Sequence, residues 1–194
     1  MLTRQYTKVL IHLDKALTTK FVGYDKLIED SVITALTTEK EVVQALADGD
    51  KGTIVVEQTP FYATMGGQVG DKGIIKTNEG TFVVVDTIKL HGTMVGHVGY
   101  VSEGMIQVGD KVTLKVDSAN RNAIAKNHSA THLLQKALKL VLGNHVEQAG
   151  SYVDAERLRF DFTHFEKISA ELLKEIEEKV NQIVFEGRPV VIKN

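Results

Sequence analysis

The sequence contains no cysteine, which excludes disulfide bonds and thiolate metal ligands within this chain. It also has no apolar run long enough for a membrane helix, and its N-terminus lacks the charged and then apolar pattern of a secretory signal. The formal net charge is only −2, so any contact with nucleic acid must be local and electrostatically modest. The absence of a membrane helix and of a secretory signal predicts a cytoplasmic protein with no membrane partner.

The chain has 194 residues, of which 43% are apolar, and this is enough to bury a core in one large or two small domains. Up to Asp117, short β-rich runs alternate with glycine and polar turns, a pattern typical of a small barrel or sandwich. The runs are 31–36, 53–57, 73–76, 81–90, 93–101 and 110–116. The intervening turns include 48–50, 77–80 and 103–104.

After Asp117 the pattern changes to helix, hairpin, helix and strand. A helix is predicted from a cap at Asp117 or Ser118 to a stop at Gly143 and Asn144. It is followed by a hairpin over 144–153 and 157–163 and by an amphipathic helix over 170–185. The fold class is therefore predicted as α+β, with a small N-terminal β-barrel followed by an α/β sandwich that has an antiparallel sheet.

The predicted domains are a barrel over 21–117 and an α+β domain over 118–194, with 1–20 as a linker or the end of a preceding domain. The apolar run 190–192 predicts a strand only two residues before the last residue. A strand at this position would leave an open sheet edge, so we expect the second domain to be truncated at its C-terminus.

Two histidines, His128 and His132, lie four residues apart in the first predicted helix. Residues at this spacing share a helix face, so both imidazoles could reach one metal ion and form half of a zinc site. The helical projection places them away from the apolar stripe, which leaves an ordinary solvated face or a metal or substrate cleft as alternatives. A zinc-protease site is excluded because Ser129 stands where the catalytic glutamate would be.

A second candidate site is the glycine-rich segment Thr59–Asp71, which contains Gly66, Gly67 and Gln68. Adjacent glycines let the backbone approach a ligand, and Gln68 could present its amide to a polar group. The alternative is a simple turn between strands. A nucleotide-phosphate loop is excluded, since neither of its glycine patterns is present.

Four separated motifs, in this order, resemble the editing region of alanyl-tRNA synthetase. They are 59–71, 127–134, 142–151 and 158–164. Free-standing alanyl-tRNA editing proteins and the threonyl-tRNA synthetase editing domain are related to that region. The resemblance covers about residues 20–194.

The resemblance implies an enzyme, part of an ATP-binding alanine–tRNA ligase of protein biosynthesis, which hydrolyses mischarged Ser-tRNA(Ala) and Gly-tRNA(Ala). A pocket built for alanine cannot strongly reject glycine or serine, so a second site must remove the errors. The implied partners are the acceptor end of tRNA(Ala) and the remaining domains of the parent synthetase.

By resemblance, His128 and His132 would be two zinc ligands, and a cysteine and a histidine beyond Asn194 would complete the site. Thr131 would offer its hydroxyl to the serine side chain, and Gln148 would line the same pocket as a second catalytic-site residue. Gly66, Gly67 and Gln68 would contact the substrate.

Two other readings of the chain stay open at this point: a free-standing editing hydrolase, and a non-catalytic RNA-binding module whose histidines are solvated. The sequence also leaves open whether zinc orients the aminoacyl group or activates a water. No acid–base pair is identified, because Asp161 and Glu147 are supported only by their proximity in the chain.

Overall fold

The structure is a computed structural model that describes residues 9–10 and 13–189. The described residues form two compact units. The first contains the residues up to Met65 together with Val69–Asn122, and the second contains Gly66–Gln68 together with the residues from Ala123 onward. The predicted strand at 190–192 and most of the first dozen residues lie outside the described ranges.

The first unit is built on a closed barrel of six antiparallel strands, in the order 111–116, 73–76, 80–89, 95–107, 51–56 and 28–37, which closes because the last of these strands also pairs with the first. The barrel strands are β2 (Ile28–Thr37), β5 (Lys51–Val56), β7 (Gly73–Lys76), β8 (Gly80–Lys89), β9 (Val95–Gln107) and β10 (Lys111–Val116). Four short strands accompany them: β1 (Lys20–Phe21), β3 (Val42–Val43), β4 (Ala45–Ala47) and β6 (Gln58–Thr59).

Side chains of β10 alternate strictly between the core and the solvent. In β10, Val112, Leu114 and Val116 are buried, while the lysines and the threonine between them are exposed. Successive residues of a strand face opposite sides, so this pattern puts one face into the core. The core inside the barrel is mostly aliphatic, and it also contains two buried aromatic rings, Phe61 and Phe82.

The turn predicted at Glu103 and Gly104 is wrong, because β9 continues through both residues to Gln107. Pairing between β8 and β9 changes register between Thr81 and Phe82, and Gly104 has a φ of 74°. An irregularity of this kind bends a strand without ending it. Glycine at position 104 supplies the positive φ within this continuous strand.

The second unit contains α1 (Ser118–Leu142), β11 (Gln148–Val153), β12 (Leu158–Phe162) and α2 (Ala170–Glu186), although α1 begins within the first unit. The Asp117 carboxylate accepts from the Asn120 backbone N–H at 3.0 Å, as expected for the predicted cap. Ser169 caps α2, and Gly187 ends it in the left-handed conformation.

The two strands β11 and β12 form an antiparallel hairpin, and apolar side chains of β12 pack with both helices. The buried centre consists of Ala137 and Leu138 of α1, Ile176 of α2, and Val146, which lies just before β11. Phe160 and Phe162 of β12 pack against it. The α+β class, with a barrel preceding a helix-and-hairpin unit, is thereby confirmed.

None of the helices within the described ranges has the length and apolar character needed to cross a membrane.

Candidate functional site

The paired histidines lie on α1, on a face that the core does not cover. The ring centroids of His128 and His132 are 5.2 Å apart, and the ring planes are inclined by 41°. His128 is half-buried and His132 is exposed. The helical projection therefore placed them correctly outside the apolar stripe, and one helical turn brings the two rings together.

Gln68 of the glycine-rich motif contacts the first of these histidines. Its Oε1 lies 2.6 Å from Nδ1 of His128. Burial lowers the pKa of His128, and the charge of His132 lowers it further. Both effects favour the neutral imidazole, which is the form that binds metals.

The glycines before Gln68 have conformations that only glycine adopts easily. The φ angles are 61° at Gly66 and 87° at Gly67. Gly67 is also tightly enclosed, since a Cβ atom there would lie 2.3 Å from the Ser151 carbonyl oxygen. Its own carbonyl accepts from the Val153 N–H at 2.8 Å. Gly67 is thus packed against β11 and hydrogen-bonded to it, and this packing accounts for glycine at position 67 without a ligand.

Thr131 lies between the two histidines in sequence and is 9% exposed. Its hydroxyl donates to the Asn127 carbonyl at 2.9 Å, which leaves the oxygen lone pairs as acceptors. Gln148, the first residue of β11, is exposed and pairs with Phe162. Within the described residues, no hydrogen bond joins Gln148 to His128 or His132.

The donor set fits two positions of a zinc site. Zinc accepts neutral imidazole nitrogens, and a ligating histidine normally donates its other N–H to an oxygen, as His128 does to Gln68. Among residues 9–10 and 13–189, no group of three or more histidine, aspartate or glutamate side chains could hold a metal. Any further ligands would have to come from elsewhere or from water.

Two features of the motifs were not predicted. The Ser151 hydroxyl donates to the Gly66 carbonyl at 3.3 Å, so the end of the third motif supports the first. In the first unit, Asp71 at the end of the glycine-rich motif forms a buried ion pair with Arg121. A buried aspartate needs a cationic partner, but the sequence does not indicate which residue provides it.

The comparisons with known proteins agree with the motifs. The family model for class II (A) tRNA synthetases matches residues 2–120, which is more than half of the chain. The chain belongs to the class II (A) tRNA synthetase family.

Within this synthetase family, the similar curated proteins are alanine–tRNA ligases. Alanine–tRNA ligase 1 of Lachnoclostridium phytofermentans is 53% identical over 179 residues, which are 92% of this chain and 20% of the relative. The ligase of Psychromonas ingrahamii is 48% identical over 188 residues, 97% of this chain and 21% of the relative. That of Rhodopseudomonas palustris is 48% identical over 175 residues, 90% of this chain and 20% of the relative.

The resemblance to alanyl-tRNA synthetase is confirmed, and the chain spans about a fifth of the length of the ligases it matches. The family model ends at residue 120, before the paired histidines. The match to the Psychromonas ligase covers 97% of the chain and therefore includes them. The similarity to alanine–tRNA ligases thus includes the segment that carries the candidate site.

Proposed function

We propose that this chain carries the editing site of an alanine–tRNA ligase, which hydrolyses the ester of Ser-tRNA(Ala) and Gly-tRNA(Ala) in the cytoplasm. The partners would be the acceptor end of tRNA(Ala) and the remaining domains of the ligase. The observation that carries the proposal is the pair of imidazoles one turn apart, with His128 held by Gln68, in a chain related to alanine–tRNA ligases.

The need for such a site follows from the chemistry of alanine recognition. A pocket that admits a methyl side chain also admits the smaller glycine, and one extra hydroxyl on serine gives weak discrimination. Alanine–tRNA ligases therefore require a second, hydrolytic selection step. A site with a hydroxyl acceptor beside a hydrolytic centre would recognise serine by the group that alanine lacks.

His128 and His132 would hold zinc as two of its ligands, with a cysteine and a histidine from outside residues 1–194 as the others. When bound, zinc supplies Lewis-acid polarisation of the ester or a water of lowered pKa. His128 meets the requirement for a ligand, because its pKa is lowered by burial and its Nδ1 is hydrogen-bonded to an oxygen.

Other residues would orient the substrate. Thr131 Oγ1 donates to Asn127, so it would act towards serine as an acceptor. Gln148 would line the pocket from the exposed start of β11. The backbone of Gly66 and Gly67, together with the Gln68 amide nitrogen, would face the aminoacyl end.

The test is deacylation of Ser-tRNA(Ala) by a full-length ligase that carries these residues. His128→Ala should abolish deacylation while aminoacylation with alanine persists. His91→Ala, an exposed histidine in the first unit, serves as the matched control and should leave both rates unchanged. Equal deacylation by the His128→Ala variant and the unaltered enzyme would remove the proposal.

Zinc titration separates the proposal from a non-catalytic RNA-binding module. Residues 1–194 alone should bind zinc weakly, since two imidazoles leave the ion undercoordinated. A longer version with the expected cysteine and histidine should bind one zinc ion per chain. No binding by that longer version, with tRNA affinity retained, would favour the RNA-binding module.

A further inference from the structure

The contact between Gln68 and His128 specifies where the proton of the imidazole lies. The atom of Gln68 that faces the ring is Oε1, at 2.6 Å from Nδ1. An amide oxygen accepts hydrogen bonds and cannot donate them, so Nδ1 must carry a hydrogen. A neutral His128 then has its lone pair on Nε2.

Gln68 is held firmly enough to impose this tautomer. It is 9% exposed and forms an isolated parallel bridge with Val153. The preceding residue, Gly67, is tied to the same strand residue through its carbonyl. The contacts with β11 therefore fix the backbone from which this side chain extends. The residue that it reaches, His128, is 60 positions away in sequence.

We propose that Gln68 is a positioning residue that locks His128 in the Nδ1–H tautomer, so that Nε2 is the atom offered to a metal ion. This inference rests on the proposed zinc site. It assigns the Gln68 oxygen a role distinct from the substrate contact proposed for the amide nitrogen, because that oxygen accepts from the ring. An oxygen that accepts a hydrogen bond from the other ring nitrogen raises the basicity of a ligating imidazole and fixes its orientation.

The tautomer can be measured on the metal-free chain by long-range ¹H–¹⁵N correlation of the imidazoles, at an alkaline pH where they are neutral. In the unaltered chain, His128 should show a protonated Nδ1. Gln68→Leu removes the acceptor, and His128 should shift toward the Nε2–H form that unconstrained imidazoles favour in water. Gln68→Glu keeps an acceptor oxygen and should preserve the Nδ1–H form.

Gln107→Ala, an exposed glutamine of β9, is the control and should leave the His128 signals unchanged. Backbone amide spectra establish that each variant is folded. A protonated Nε2 on His128 in the unaltered chain would overturn the proposal whatever the variants do. An unchanged tautomer in folded Gln68→Leu would overturn it as well.

A competition titration with Zn²⁺ and a chelator, on the full-length ligase, tests the consequence for the metal. Gln68→Leu should weaken zinc binding by about 10- to 100-fold, and Gln68→Glu should bind at least as tightly as the unaltered enzyme. Equal affinity in Gln68→Leu would overturn the positioning role. Absence of zinc binding by the unaltered ligase would instead refute the proposed function. The tautomer measurement would still show whether Gln68 fixes the Nδ1–H form of His128.

Discussion

Arg121, in the first turn of α1, encloses the carboxylate of Asp71, the residue that ends the glycine-rich motif. Its Nε donates to both carboxylate oxygens, at 2.9 and 3.0 Å, and a terminal nitrogen pairs with the same group. The two terminal nitrogens also donate to the carbonyls of Gly23 at 2.9 Å and Pro60 at 2.8 Å. One guanidinium thus joins the helix start, the motif and the segment before β2 within the first unit.

The ion pair between Arg121 and Asp71 should make the chain sensitive to substitution of Arg121. The Asp71 side chain is fully buried, so Arg121→Ala would leave an uncompensated charge and should lower the free energy of unfolding by about 3–5 kcal/mol. Arg121→Lys keeps the charge but loses the planar fork and should give an intermediate loss. Urea unfolding measures both changes.

Arg159→Ala is the matched control, because Arg159 pairs with Asp161 on the exposed surface of β12. Exposed pairs contribute about 0–1 kcal/mol, so this variant should unfold almost as the unaltered chain does. A loss of less than about 1 kcal/mol in Arg121→Ala would contradict the structural role of the buried pair.

His97 predicts a pH dependence of the stability of the first unit. Its ring is fully buried on β9, where Nδ1 donates to the Ile54 carbonyl at 2.9 Å and Nε2 lies 2.7 Å from the Thr59 hydroxyl. Burial lowers its pKa from 6.5 to about 4, against a smaller opposing effect of the Ile54 bond. Between these two pH values the unfolded chain binds the proton and the folded chain does not.

The free energy of unfolding should therefore be fully retained above about pH 6.5 and should fall, as pH decreases to about 4, by up to about 3 kcal/mol. Urea unfolding at a series of pH values measures the slope. His97→Gln should flatten it, whereas His91→Gln, at an exposed turn, should leave it unchanged. A slope that persists in His97→Gln would assign the effect to other groups.

Local signals in the sequence were sufficient for much of the fold. The cap at Asp117, the stop at Gly143 and the bounds of α2 depend on neighbouring residues, and the structure reproduces them. The alternation in β10 likewise depends on its own residues. The turn prediction at Gly104 failed because glycine serves both turns and bent strands.

The candidate site was predictable only in part, because its decisive contacts join distant positions. The spacing of His128 and His132 gave their shared face, since one helical turn relates them. The hydrogen bond between His128 and Gln68 joins residues 60 positions apart, and that between Arg121 and Asp71 joins residues 50 positions apart. Periodicity carries no information on such pairs, because they depend on the tertiary packing of segments that are distant in sequence.

Alanine substitution should cost different amounts of stability at the adjacent positions Gly66 and Gly67. Both Gly66 and Gly67 have positive φ, so alanine at either position should cost about 1 kcal/mol from backbone strain. Only at Gly67 would the new Cβ meet the Ser151 carbonyl, whereas the space at Gly66 is open. Gly67→Ala should therefore destabilise the second unit by at least about 1 kcal/mol more than Gly66→Ala, as measured by urea unfolding. Equal losses would mean that the loop packs differently against β11.

Substitution of Thr131 should slow hydrolysis of the seryl substrate but not of the glycyl substrate. This prediction rests on the proposed function. Its hydroxyl hydrogen is used by Asn127, so its oxygen is free to accept from the hydroxyl of a seryl group. Thr131→Val keeps the shape but removes the acceptor, and kcat/KM for Ser-tRNA(Ala) should fall about tenfold. Gly-tRNA(Ala), which has no side-chain hydroxyl, should be hydrolysed at nearly the same rate as by the unaltered ligase.

Deacylation of the two mischarged tRNAs by the full-length ligase measures this ratio directly. Ser129→Ala, at an exposed position on the same turn of α1, should leave both rates unchanged. Equal losses on the seryl and glycyl substrates in Thr131→Val would show that the threonine supports only the helix. Recognition of the seryl hydroxyl would then have to come from another polar group, either an acceptor or a donor, because a hydroxyl can both donate and accept a hydrogen bond.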